Sequence, residues 1–206
     1  MSKTAKTGAV PSPVTGRGLH LIVLSGPSGV GKTTVSRAVA RRLGLLESIS
    51  ATTRTIRPGE TDGADYYFLS REAFERRIAD GRFVEWAEVF GRLYGTPVEE
   101  IERARAAGRA ILLEIDVQGG IQIKRKFPEA LAILLLAPDP QALRSRLSRR
   151  STEVPEEAER RFAKAAEEVA TARAAGCYDA EAVNDDLATA VNQVASIIET
   201  WRKQND

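Results

Sequence analysis

Residues 26–33 read Gly26-Pro27-Ser28-Gly29-Val30-Gly31-Lys32-Thr33, the full G-x-x-x-x-G-K-[ST] pattern. This is the signature of a phosphate loop. Successive backbone N–H groups in such a glycine-rich turn converge into a nest for phosphate oxygens. A helix starting at Gly31 adds its positive N-terminal end to the nest. Lys32 would reach the β- and γ-phosphates of a nucleoside triphosphate, and the Thr33 hydroxyl would bind Mg²⁺. Gly26, Gly29 and Gly31 stand where a side chain would obstruct the ligand or φ must be positive.

The flanks fit the loop. Residues 20–25, His-Leu-Ile-Val-Leu-Ser, form a short apolar run that predicts a buried parallel strand. After the loop, Val35, Val39 and Leu43 recur every four residues between Arg37, Arg41 and Arg42, which predicts an amphipathic helix. Strand, glycine loop and helix in that order are the context the motif requires.

Outward from this unit the chain alternates in character. Residues 1–18 are basic and rich in Pro, Gly, Ser and Thr, without the apolar run of a secretory signal, so a disordered tail is expected. Residues 19–50 are the first part of an α/β core. Residues 51–97 are rich in Thr, Gly, Arg and aromatics, with short strands near 66–69 and 83–89 around a helix at 71–80 whose N-cap is Ser70. Residues 98–139 return to the core rhythm: a helix at 98–107 ended by Gly108, a strand at 110–116, a helix at 119–127 and an apolar strand at 130–136. A lid is expected at 140–162, a helix from Pro140 and a second beginning near Pro155. Residues 163–206 complete the core with a short strand near Val183 and a helix at 187–203 capped by Asn184-Asp185-Asp186. The fold class is therefore α/β: a parallel sheet flanked by helices, with a small α+β insertion and a short helical lid.

Composition sets outer bounds. A chain of 206 residues with 43% hydrophobic and 28% charged residues can build a sizeable core. Net charge of +2 is too small to indicate a nucleic-acid partner. Cys177 is the lone cysteine, which excludes an internal disulfide framework. No run approaches the ~18 apolar residues of a membrane span. A cytoplasmic protein without membrane or nucleic-acid partners is expected.

Three further clusters carry chemistry. Ser50 to Glu60 places Arg54 and Arg57 among several hydroxyls, either as solvated loop arginines or as forked donors for a second phosphate. Glu114 and Asp116 are two apart, so on a strand they share a face at its carboxyl end. Such carboxylates hold Mg²⁺ through water or anchor a substrate base. Arg144, Arg146, Arg149, Arg150, Arg160 and Arg161 crowd the lid, mostly as a solvated face, with two or three able to stabilise charge on transferring phosphoryl oxygens.

In combination these motifs resemble the guanylate kinase family over all but the tail. Gly26 to Thr34 resembles its phosphate loop, Ser50 to Arg57 its S-x-T-T-R-x-x-R segment, and Gly63-Ala64-Asp65-Tyr66 its Gly-x-Asp-Tyr motif. Glu85-Trp86-Ala87, Tyr94-Gly95-Thr96, Glu114-Ile115-Asp116 and Asn184-Asp185-Asp186 follow in the family's order, and Arg150-Ser151-Thr152 stands where its lid reads Arg-Gly-Thr. The resemblance implies transfer of the γ-phosphate of ATP to GMP with Mg²⁺. It implies ATP contacts at Gly26, Pro27, Ser28, Gly29, Val30, Gly31, Lys32, Thr33, Thr34 and Asn184. Ser50, Arg54, Arg57, Tyr66 and Tyr94 would hold the GMP phosphate, with Glu85, Thr96 and Asp116 on guanine and Glu114 nearby. Thr33 and Asp116 would serve the metal. Lys32, Arg54, Arg57, Arg146, Arg150 and Arg161 would be catalytic. The alternatives are a kinase for another phosphorylated acceptor and a non-catalytic module of the same fold.

Overall fold

The structure, a computed structural model, describes residues 19–150 and 155–205, without the side chains of 149–150 and 155–158. The expected tail 1–18, the Arg150 side chain and the Ser151-Thr152 segment lie outside the described residues. The core elements are β1 (Leu21–Ser25), α1 (Lys32–Leu43) and β2 (Leu46–Glu47). Then come β3 (Ala51–Thr52), β4 (Tyr67–Phe68), α2 (Arg71–Ala79), β5 (Phe83–Val89) and β6 (Arg92–Pro97). The core resumes with α3 (Val98–Ala106), β7 (Ile111–Glu114), α4 (Val117–Lys126), β8 (Leu131–Leu136), α5 (Pro140–Arg150), α6 (Pro155–Ala175), β9 (Ala180–Val183) and α7 (Leu187–Asn205).

Strand β1 lies at the centre of a five-stranded sheet of order β2-β7-β1-β8-β9, parallel throughout. Its side chains alternate between two cores. Ile22 and Leu24 pack with Val35 and Val39 of α1 and Val194 and Ile198 of α7. Leu21 and Val23 pack with Ile101 of α3 and Ile123 of α4. A strand covered on both faces must be apolar at every position, as this one is down to Leu24. Each fully buried aliphatic side chain of this kind contributes roughly 1.5–3 kcal/mol.

The insertion builds its own small sheet of order β4-β3-β6-β5. Phe74 of α2 stacks on Phe83 with ring centroids 4.3 Å apart, over Ala51 and Leu93. Ser70 caps α2 by accepting from the Ala73 N–H, as its sequence predicts. Strands β5 and β6 form a hairpin closed by Phe90-Gly91, both at positive φ (50° and 71°), the requirement of a two-residue turn matched to strand twist.

Two expectations shift. The strand expected over 110–116 stops at Glu114, because Asp116 becomes the N-cap of α4, which begins two residues earlier than its sequence suggests. Helix α6 begins at Pro155, as its sequence suggests, and is continuous for 21 residues. The strand order switches sides at β1, with β7 on one side and β8 on the other. In such sheets ligands enter the crevice at the carboxyl ends of the strands.

Candidate active site

The phosphate loop leaves β1 and feeds α1. A Cβ at Gly26 would lie 2.3 Å from the Leu135 carbonyl oxygen, and one at Gly29 would lie 2.6 Å from Leu147 Cδ2. No larger residue fits without moving the sheet or α5. The Val30 carbonyl accepts from Asn184 Nδ2 (2.8 Å) and from Arg146 Nη1 (3.4 Å). Both contacts hold that carbonyl on the Asn184 and Arg146 side of the loop. Lys32 Nζ donates to the carbonyls of Gly26 (2.7 Å) and Pro27 (3.1 Å), lying across the loop.

The Thr33 hydroxyl donates to Glu114 Oε1 at 2.6 Å. Asp116, expected beside Thr33, instead accepts from the Gly119 N–H through Oδ1 (2.8 Å), and its carbonyl accepts from Ser25 Oγ (2.9 Å). The physical reason is the helix start: an Asx N-cap is drawn to the first-turn N–H groups. Thr33 and Glu114 therefore present the paired hard oxygens that suit Mg²⁺. Among the described residues no group of three His, Cys, Asp or Glu side chains forms a metal cage. A Mg²⁺ ion held by one or two protein oxygens, water and phosphate is the arrangement this donor set fits.

Across the cleft, Arg54 makes a forked pair with Glu60, Nη2 to Oε1 at 2.8 Å and Nη1 to Oε2 at 3.0 Å. The carboxylate raises the guanidinium pKa and the guanidinium holds the Glu60 carboxyl below its usual range. The Arg54 guanidinium also lies 5.3 Å from the Tyr66 ring centroid and 5.5 Å from that of Phe68. Tyr66 meets Tyr94 edge to face at 6.2 Å. Burial, and next the Glu114 charge, push the Tyr66 hydroxyl up to about 12, so it remains a donor at neutral pH. Ser50 and Arg57 line the same wall. The Arg57 backbone N–H donates to Glu60 (2.8 Å), so one carboxylate shapes the whole arginine segment.

Glu85 is the most unusual group in the cleft. It is only 3% exposed. Its Oε1 accepts from both the backbone N–H (2.9 Å) and the hydroxyl (2.7 Å) of Thr96. Burial pushes its pKa up to about 7, partly offset by the Thr96 hydroxyl. The other oxygen, Oε2, faces α4. A carboxylate with one oxygen fixed and one presented suits a ligand with adjacent N–H donors.

The arginines expected in the lid divide. Arg160 and Arg161 line the main cleft. Arg146 sits behind the loop, donating to the Val30 and Asp185 carbonyls beside a smaller cavity of about 360 Å³ that Thr34 and Asn184 also line. One functional contact escapes the motif reading. Glu168 of α6, 7% exposed, accepts from the Ser28 N–H at 3.1 Å, and burial raises its pKa. Its signal was helical phase: Ala165, Glu168 and Ala172 share one buried stripe, an odd place for a carboxylate.

The main cleft measures about 1280 Å³, beyond the ~300–1,000 Å³ of a single-ligand pocket. It runs from Gly29, Lys32 and Thr33 to Arg54, Tyr66 and Glu85, joining the expected donor and acceptor residues in one space. Of the expected residues, Val30, Thr34, Arg146 and Asn184 line the smaller cavity instead, and Pro27 and Thr96 are on neither wall; Thr96 acts through Glu85.

The sequence profile of the guanylate kinase family matches residues 19–201. The chain is 48% identical over 179 residues to the guanylate kinase of Symbiobacterium thermophilum, spanning 86% of this chain and 83% of that one. It is 48% identical over 189 residues to that of Listeria monocytogenes serotype 4b, spanning 91% and 90%. The crystal structure of guanylate kinase from Anaplasma phagocytophilum superposes with a TM-score of 0.72 at 32% identity, covering 89% of this chain and 85% of that one.

Proposed function

Because the chain belongs to the guanylate kinase family, we propose that it transfers the γ-phosphoryl group of ATP to GMP, giving ADP and GDP. The observation that carries this reading is the single cleft with a phosphate loop on one wall and Arg54, Tyr66 and Glu85 on the other. We read 51–97 as the GMP-binding insertion and 140–162 as the lid, and take the cytoplasm, where ATP and GMP are found, as the working compartment.

In this reading the loop N–H groups and Lys32 bind the donor phosphates, and Asn184 and Thr34 border the donor's far end. Thr33 and Glu114 would hold Mg²⁺, which supplies charge neutralisation at the β- and γ-phosphate oxygens. Arg54 releases one face of its fork from Glu60 to the acceptor phosphate, with Arg57, Ser50, Tyr66 and Tyr94 as further donors. Glu85 accepts from guanine N1–H and N2–H₂, which adenine cannot offer together, and Asp116 borders the same base. Arg160 and Arg161 face the transferring oxygens, and Arg150 of the lid joins them. No general base is needed, because the acceptor phosphate oxygen is already anionic; positioning and electrostatics carry the rate.

An acceptor screen with ATP and Mg²⁺ tests the reading. GMP turns over at least ~100-fold faster than AMP, UMP or CMP, the discrimination expected of a site built on paired hydrogen bonds. EDTA stops the reaction. A faster rate on AMP or UMP than on GMP overturns the assignment.

A further inference from the structure

Helix α4 turns one stripe of residues toward strand β5. Positions 119, 122 and 126 share a helix face, and each meets the Val84-Glu85-Trp86 stretch. A Cβ on Gly119 would lie 2.6 Å from Glu85 Oε2, so the carboxylate rests on bare helix backbone. Gln122 makes a two-way contact: its Nε2 donates to the Trp86 carbonyl (2.8 Å), and the Trp86 N–H donates to its Oε1 (3.4 Å). Lys126 Nζ donates to the Val84 carbonyl. Strand β5 is an outer strand of the insertion sheet, with β6 on its only strand-paired side. The side chains of α4 thus occupy the edge where another strand would pair.

The strand is also irregular at this point. Phe83 pairs with Pro97 and Glu85 pairs with Thr96, so Val84 is an extra residue in a bulge. A bulge re-aims the side chains around it. Phe83 goes to the insertion's core, Val84 goes to the main core beside Leu21 and Ile123, and Glu85 is left between them in the cleft. The same helix is capped by Asp116, whose Oδ1 takes the Gly119 N–H. Both carboxylates at the base end of the cleft are therefore set by one rigid element.

We propose that α4 is the ruler for base selection: Gln122 and Lys126 are positioning residues, and the missing side chain of Gly119 leaves room for Glu85 Oε2. They act by fixing where Glu85 stands relative to Asp116, and through that they set selectivity for a purine bearing an exocyclic amine next to a ring N–H. This rests on the guanine reading of the cleft.

The test compares kcat/KM for GMP and IMP, which differ only in the 2-amino group, in the wild-type protein and in Gly119→Ala, Gln122→Met and Lys126→Met. Gln122→Met keeps the length of the side chain and Lys126→Met keeps its aliphatic stem, while both remove the bonds to β5, and so guard against a Gly119→Ala variant that fails to fold. The expected result is a GMP over IMP preference reduced at least ~10-fold in the Gly119 and Gln122 variants, with KM for ATP within about twofold of wild type, since a displaced hydrogen-bonding group loses its discrimination. An unchanged preference in folded variants, or parallel losses toward ATP and both acceptors, overturns the ruler. A wild-type protein without a GMP preference overturns the guanine reading instead.

Discussion

Thr96 gives both of its donors, the backbone N–H and the hydroxyl, to one oxygen of Glu85. That arrangement holds a buried carboxyl in place without a counter-charge at hydrogen-bond distance. Burial outweighs the Thr96 bonds, and the pKa settles at about 7 instead of 4.5. The proton is therefore retained in the fold over a range where the unfolded chain has lost it. By linkage, the stability associated with Glu85 is fully present below pH 4.5 and is lost as pH rises through about 7. Urea unfolding at pH 5 and pH 8 will show wild type losing stability relative to Glu85→Gln across that window. In the proposed mechanism guanine needs the ionised form, so the KM for GMP, corrected for the acceptor phosphate's own titration, falls as pH rises through 7. In Glu85→Gln that component of the pH profile is flat.

Lys32→Ala removes the cation lying across the phosphate loop. Turnover drops by ~10³-fold or more, the scale of a lost transition-state charge partner. Far-UV circular dichroism and the melting temperature stay close to wild type, because the loop carbonyls that Lys32 contacts regain water.

Arg54 is shared between Glu60 and, in the proposed mechanism, the acceptor phosphate. Arg54→Ala raises the KM for GMP by ~100-fold, as expected for a lost forked, charge-assisted pair. The KM for ATP is unchanged. Arg54→Lys recovers only a small part, since an ammonium cannot reproduce the fork or lie over Tyr66 and Phe68. Initial-rate kinetics with each substrate varied separately will show the split.

Glu168 steadies the phosphate loop through the Ser28 N–H. Glu168→Ala removes the acceptor of that part-buried N–H and raises the KM for ATP by roughly 10-fold, on the scale of one lost hydrogen bond to a charged group, while sparing the KM for GMP. Glu168→Gln keeps an acceptor oxygen at the same reach and restores most of the affinity. A Gln variant as weak as the Ala variant would assign the effect to charge instead of the hydrogen bond.

The core strands and the long helices were legible because each has a period or an apolar run that survives context: residues 131–136 are all buried, and Ser70 announces α2. Strands β2 and β3 are two residues each, too short for any periodicity, and exist because β7 and β6 offer them hydrogen bonds. Around Glu85 hydropathy points the wrong way. The tryptophan at 86 is 40% exposed and the glutamate beside it is buried. The bulge at Val84 makes that inversion, and a bulge is a property of two strands together. The apolar run carries the expected strand through Asp116, where residues two apart share one face; a helix N-cap two residues beyond the strand end breaks that rule.

Helix α6 is one unbroken 21-residue rod. It carries Arg161 toward the cleft and, two turns later, Glu168 against the phosphate loop. The two lie ~10 Å apart along the axis at 1.5 Å per residue. Arg161 and Glu168 therefore belong to one rigid body, which joins the cleft wall to the phosphate loop.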